Sequence, residues 1–244
     1  MKHRHFIIAG AQRSGTTYLY ELLAAHPEVC MATPVKPEPK YFLGSEKTRE
    51  YSTYLSRFFR DCEREAVLGE KSTSYYESEG VAERIAELIP EARIVFMLRD
   101  PVERAISNYF FSRNNGIESR SLREVFLQHK AAPAYDRSSI SVNPFDYLGR
   151  GEYAIFIQKY IAVFGAEQVG VFFFEELTKR LEALEALYEF IGVDRSFVPE
   201  CFAEQVNAAQ RHTVVTDDVT EALRQYYLQP NQRLSVLLGR ELPW

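Results

Sequence analysis

The sequence predicts an α/β fold in which one parallel β-sheet carries helices on both faces, with residues 1–244 forming a single domain. Three observations carry that expectation. Short apolar runs rich in β-branched residues alternate along the chain with stretches of helical period. Two of those runs, Phe6–Gly10 and Arg93–Leu98, pass directly into segments that read as helix starts. A chain of 244 residues is also long enough for one well-filled core.

Taken in order, Phe6–Gly10 reads as a short buried strand that ends in glycine. After the loop Ala11–Thr17 a helix runs to about Ala25, with Leu19, Leu22, Leu23 and His26 on one stripe, and Pro27 stops it. Val67–Glu70 is a second strand, and Val81, Ile85 and Leu88 mark a helix from about Ser78 to Ile89. Arg93–Leu98 is the clearest central strand, apolar and β-branched. Asp100 is placed to cap the helix that follows, Pro101 suits its first position, and Glu103 completes a capping box. That helix runs to about Ser112. Glu152–Phe164 then reads as helix and Val169–Phe174 as strand, with further helices over Leu181–Ile191, Val219–Tyr227 and Gln232–Leu238. Met31–Tyr54 and Asn114–Arg150 are the least regular stretches, and the second reads equally as an active-site lid or as plain surface loop.

Composition narrows the function. A net charge of −5 means that an anionic ligand is held by a local pocket rather than by a basic surface, which argues against a non-specific nucleic-acid binder. With 46% hydrophobic and 26% charged residues the chain reads as folded and soluble. Cys30, Cys62 and Cys201 are scattered and odd in number, so they read as small core residues, and neither they nor the five histidines show metal-ligand spacing. No metal is expected. Met1–Ile8 runs straight into a strand without a signal peptide, and no apolar run approaches the roughly 18 residues of a membrane span. A cytoplasmic location without membrane insertion is the expectation; the oligomeric state is not legible.

Chemistry concentrates in two places. The order strand, Gly10, loop, Gly15-Thr16-Thr17, helix is a phosphate-binding arrangement: successive backbone N–H groups and a helix N-terminus face one anion. The hydroxyls of Ser14, Thr16 and Thr17 add donors. A nucleotide kinase or ATPase would show GxxxxGK[ST] here, and this chain has the glycines at that spacing but Thr16 where the lysine belongs. Its cation comes earlier, at Arg13. The second place is Arg99 with Ser107, at the carboxyl end of the central strand, where open α/β sheets bind ligands. Arginine's planar fork suits phosphate oxygens, although a surface ion pair of Arg99 with Asp100 or Glu103 is the plainer reading. Arg104 reads as structural, paired with Asp100.

The loop AQRSGTT (11–17) together with RIVFMLRDPVERAISNY (93–109) resembles the paired donor-binding motifs of sulfotransferases that use 3′-phosphoadenosine 5′-phosphosulfate. The branch it resembles most contains the heparan sulfate sulfotransferases and their bacterial relatives. Further matches are KPEPKYF (36–42), GEKSTSYY (69–76), residues 151–164 and the closing YLQPNQRLSVLLGRELPW (227–244), in the family's order. The resemblance implies a P-loop-like fold and a sulfuryl transfer to a carbohydrate or glycoconjugate. It places Gln12, Arg13, Ser14, Gly15, Thr16 and Thr17 around the 5′-phosphosulfate, Arg99 and Ser107 on the 3′-phosphate, and Arg211 in the Asn207–Arg211 loop over the adenosine. It makes Glu38 the catalytic base, with Lys71 and Arg13 near the transferring group. Adjacent to Lys71, Glu70 either neutralises it or points to the opposite strand face. Two departures stand out. Heparan-type members usually carry lysine where this chain has Arg13, as tyrosylprotein sulfotransferases do not, so the acceptor stays open between a glycan, a small molecule and a protein tyrosine. No partner follows Cys201, where animal relatives have a cysteine pair, and this fits a reducing compartment. A P-loop kinase or NTPase is the nearest rival.

Overall fold

A computed structural model describes residues 3–44, 49–62, 66–136, 142–203 and 215–244. The chain packs as two compact units, Met1–Leu98 with Ile157–Val206, and Arg99–Phe156 with Asn207–Trp244. Its strands are β1 (His5–Gly10), β2 (Val29–Met31), β3 (Val67–Lys71), β4 (Arg93–Leu98) and β5 (Val169–Phe173). Helices α1 (Thr16–Ala24), α2 (Tyr51–Phe58), α3 (Val81–Leu88), α4 (Pro101–Asn114) and α5 (Leu122–Phe126) come first along the chain. They are followed by α6 (Tyr153–Phe164), α7 (Phe174–Leu177), α8 (Leu181–Ile191) and α9 (Asp217–Leu238).

Among the described residues, β1 to β5 lie in the first unit as one parallel sheet of order β2-β3-β1-β4-β5, with helices on both faces. Parallel pairing puts every carboxyl end at one edge of the sheet. Central β1 is buried along its whole length, which is why it reads as an unbroken apolar run rather than an alternating one. Its residues still alternate between faces. Phe6 and Ile8, with Val95 and Met97 of β4, share a core with Leu19, Leu22 and Leu23 of α1 and Leu184, Leu187 and Ile191 of α8. On the other face Phe96 meets the rings of Tyr76 and Tyr160 edge-on, and Tyr160 Oη donates to the Tyr75 carbonyl at 2.8 Å. Of the tyrosines in the matched motifs, Tyr75, Tyr76, Tyr109 and Tyr153 are buried, whereas Tyr41 is half-buried.

The second unit gathers Val102, Ile106, Tyr109 and Phe110 of α4 around Phe126 of α5 and Val219, Leu223 and Tyr227 of α9. Phe145 and Tyr147 join this core, so the stretch read as irregular over 114–150 is anchored from within. Arg120 pairs with the buried Glu118 carboxylate at 2.6 Å, and Tyr147 Oη donates to the same group at 3.0 Å. Arg104 is fully buried, and its guanidinium donates to the Tyr147 carbonyl and to Asn108 Oδ1.

Several element expectations need correction. Val219–Tyr227 and Gln232–Leu238 are one helix, α9, with Pro230 inside it. An interior proline costs about 3 kcal/mol, yet the buried stripe Val219, Leu223, Tyr227, Leu234 runs past it and holds both halves in line. β2, α2 and α5 lie within or beside stretches that showed no period. The helix expected from Ser78 starts at Val81, because 73–77 form a 3-10 turn and Gly80 opens α3 at a φ of 69°. At the head of α4 the capping box is half made: Asp100 accepts from the Val102 amide at 2.9 Å, while Glu103 pairs with Arg99.

The cysteine reading is also corrected. Cys30 of β2 and Cys62, which follows α2, form a disulfide with their Cα atoms 5.7 Å apart. Spacing along the chain gives no sign of it, because the return of α2 toward the sheet edge is what brings the two together. Closing a loop of 32 residues in sequence removes freedom from the unfolded chain. Replacing both cysteines by serine is therefore expected to lower unfolding free energy by about 3 kcal/mol. Denaturant titration without reductant measures this, and the variant is expected to lose the wild type's sensitivity to dithiothreitol.

Among the described residues no helix is long and apolar enough to cross a membrane.

Candidate active site

The carboxyl ends of β1 and β3 carry the residues of interest in the first unit. The loop Ala11–Gly15 leaves β1 and turns into α1 after two residues of left-handed backbone, Arg13 at a φ of 67° and Gly15 at 83°. Alternating handedness turns successive amides toward one side, the concave arrangement that receives anions. Gly15 is the N-cap of α1 and no side chain caps that helix, so the first-turn amides remain available to a ligand. A Cβ at Gly15 would overlap the Phe174 ring, with Cε2 only 2.7 Å away, so glycine is required both for φ and for space. Ser14 Oγ is fully buried and makes no hydrogen bond, which is the orphaned donor that a bound phosphate-like oxygen would satisfy. Thr16 is buried, Thr17 exposed, and Gln12 and Arg13 half-buried.

β3 sets the second group. Its register pairs Lys71 with Ile8 of β1, and the Ser72 amide donates to the Ile8 carbonyl at 3.1 Å. The 3-10 turn that follows lies against the start of the loop, since a Cβ at Gly10 would stand 2.6 Å from Tyr76 Cβ. At this point Lys71 Nζ donates to Glu38 Oε1 at 2.8 Å, with the two side chains only 9% and 17% exposed. The Thr73 amide donates to Glu38 Oε2 at 3.0 Å, and Thr73 Oγ1 donates to Oε1 at 3.1 Å. The structure thus brings Glu38 and Lys71 into contact across 33 residues of sequence. Sequence reasoning missed Thr73, although its place two residues after Lys71, at the strand end, was the available signal.

Strand alternation sends Glu70 the other way, resolving its two readings. Its carboxylate is fully buried and accepts from Tyr54 Oη, Tyr75 Oη and Ser72 Oγ at 2.6, 2.6 and 2.7 Å. Burial raises the pKa of this group, against the opposing pull of the three hydroxyl donors.

Arg99 and Ser107 belong to the second unit. Arg99 precedes α4, and its guanidinium donates to Glu103 Oε2 at 3.2 Å, so the ion-pair reading describes its present contact. Arg99, Glu103 and Ser107 follow one another at intervals of four residues, which sets Glu103 between the two expected phosphate ligands. Tyr153 Oη donates to the Arg99 carbonyl at 2.7 Å and fixes the backbone there. Asn207–Arg211, and with it Arg211, lies outside the described residues. Among the described residues no group of three or more His, Cys, Asp or Glu side chains is placed to hold a metal ion.

Comparison with known proteins bears on this arrangement. A family model described as "Sulfotransferase domain" matches residues 3–230. Bifunctional heparan sulfate N-deacetylase/N-sulfotransferase 2 of Bos taurus is 28% identical over 193 residues, covering 77% of this chain and 22% of its own length. Heparan sulfate glucosamine 3-O-sulfotransferase 3B1 of Mus musculus is 24% identical over 266 residues, covering 98% of this chain and 64% of its own. The chain thus spans about a fifth of the bifunctional relatives. A solved sulfotransferase from Alicyclobacillus acidocaldarius superposes with a TM-score of 0.75 at 27% identity, over 99% of this chain and 98% of that one.

Proposed function

The chain belongs to the sulfotransferase domain family, and on that premise we propose that it moves the sulfuryl group of 3′-phosphoadenosine 5′-phosphosulfate to a hydroxyl or amine of a glycan or glycoconjugate. The contact of Glu38 with Lys71 and Thr73, at the strand ends beside the Gly10–Gly15 loop, is the observation that carries this reading. The matched span of 3–230 runs through both units, which supports reading 1–244 as one functional domain.

In this reading Gln12 to Thr17 receive the 5′-phosphosulfate, with Ser14 Oγ supplying the buried donor. Arg99 and Ser107 take the 3′-phosphate, Arg99 exchanging Glu103 for it, and Arg211 adds a further cation. The sulfuryl sulfur passes in line from the bridging oxygen of the donor to the acceptor atom: one S–O bond breaks, one S–O or S–N bond forms, and the acceptor proton goes to Glu38. Lys71 and Arg13 offset the charge that grows on the bridging oxygen and the departing 5′-phosphate. Thr73 holds the Glu38 carboxylate through backbone and side chain together. The heparan sulfate relatives favour a glycan acceptor, while Arg13 in place of lysine is the feature that leaves room for others. The Cys30–Cys62 bridge weighs against a reducing, cytoplasmic location.

The test uses donor labelled with ³⁵S and three acceptor probes: N-desulfated heparan sulfate, a tyrosine peptide and a small phenol. Label in the glycan is the expected result, label only in the peptide or phenol moves the acceptor class, and label in none overturns the activity. The same protein is expected to gain about 2.7 kcal/mol of stability from 3′,5′-adenosine bisphosphate at 100 times its Kd and little from MgATP. The reverse preference would assign the loop to a kinase or NTPase.

A further inference from the structure

Glu38 lies between β2 and α2, where the described residues 32–44 form no helix or strand, so something other than a helix or sheet ladder must fix it. Two backbone amides close behind it are engaged. The Lys40 amide donates to Ser72 Oγ at 2.9 Å, and the Phe42 amide donates to Tyr75 Oη at 2.9 Å. Each of these hydroxyls has one proton. Because a backbone amide only donates, the lone pair of each hydroxyl faces the segment and its proton must point elsewhere. Both protons point to the same atom, Glu70 Oε1, at 2.7 Å from Ser72 and 2.6 Å from Tyr75. Tyr54 Oη holds the other oxygen at 2.6 Å. Burial and the nearby Glu70 charge keep the Tyr54 and Tyr75 phenols well above their ordinary pKa, so both remain donors.

We propose that Glu70 is a positioning residue for the transfer reaction: its buried carboxylate polarises two hydroxyl relays that clamp the Lys40 and Phe42 amides and so fix the segment bearing Glu38. The consequence for turnover rests on Glu38 acting as the base; the relay itself does not. The strand thereby uses consecutive residues for two tasks on opposite faces. Lys71 touches Glu38 directly, and Glu70 acts on the same segment from behind through Ser72 and Tyr75. Chains of hydrogen bonds that end on a buried charge are stronger than isolated ones, and an unmade bond in such a place leaves a buried polar group without a partner.

Amide hydrogen exchange resolved by NMR tests the relay, using three variants of the full chain. Ser72→Ala is expected to speed exchange of the Lys40 amide at least about tenfold while sparing Phe42, and Tyr75→Phe to do the converse. Glu70→Met is expected to release both amides; if it fails to fold, the two single variants still decide the matter. Unchanged exchange at both amides, or equal acceleration across β1 and β4, overturns the relay. Turnover with N-desulfated heparan sulfate is then compared in two backgrounds. Ser72→Ala and Tyr75→Phe are each expected to lower kcat about tenfold, with the Kd for 3′,5′-adenosine bisphosphate unchanged, and to lower it no further once Glu38→Gln is present. Equal losses in both backgrounds overturn the positioning role. Full activity of Glu38→Gln alone overturns the base reading and the catalytic consequence drawn from it, while the exchange pattern still decides the relay independently.

Discussion

Replacing Glu38 by glutamine is expected to lower kcat by about 10²–10⁴-fold, the range contributed by a positioned general base, while 3′,5′-adenosine bisphosphate binds within about threefold of wild type. The side chain keeps its size, so the loss would report proton transfer rather than a cavity. One complication follows from the geometry. Glu38 accepts from Lys71, from the Thr73 amide and from Thr73 Oγ1, and a glutamine must turn its NH₂ toward one of these donors. Thr73→Val separates the effects. It removes the hydroxyl contact, leaves the carboxylate and the amide contact, and is expected to reduce kcat only a few-fold. Rapid-quench measurement of a single turnover isolates the chemical step, and calorimetry gives the affinity. Turnover of Glu38→Gln within a factor of about three of wild type would place the base elsewhere.

The second large effect is expected from Gly15→Ala. An L-residue held in left-handed backbone costs about 1–2 kcal/mol, and φ at Gly15 is 83°. The added methyl also enters the Phe174 ring, an overpacking worth about 1–3 kcal/mol. The two contributions together predict a fall in unfolding free energy of about 2–5 kcal/mol, read by denaturant titration. Relief of either strain must rotate the peptide that presents the first amides of α1. Affinity for 3′,5′-adenosine bisphosphate is therefore expected to fall at least about tenfold, since those amides and their helix end hold the anion. Adding Phe174→Ala to Gly15→Ala relieves the overlap but not the backbone strain. Recovery of part of the stability, with binding still weak, is the expected outcome. Full recovery of both would show that φ at this position is unimportant.

Much of the fold is legible in the sequence because its strands are buried on both faces. β4 reads at its observed bounds, and the reading of β1 misses only His5, since a central parallel strand leaves an uninterrupted apolar run. β2 is three residues long at the sheet edge, and α5 five residues long, too short to show a period. α9 reads as two helices because proline is a strong local signal, and the stripe that overrides it becomes visible only when Val219 and Leu234 are seen buried along one helix.

The candidate site divides in the same way. The glycine spacing from Gly10 to Gly15 and the missing lysine at Thr16 are properties of neighbouring residues, so the sequence alone points to a phosphate-like anion outside the ATP-hydrolysing pattern. Glu38 and Lys71 can be nominated singly but not joined, because their contact depends on the return of a segment 33 residues away. Only the tertiary structure decided that Thr73 grips Glu38, that Glu70 turns inward toward Tyr54, Tyr75 and Ser72, and that Cys30 finds Cys62. The reason is physical. Strand period and glycine geometry are written into adjacent residues. A hydrogen bond or a disulfide between distant ones is set by where a parallel sheet lets its connecting segments come back.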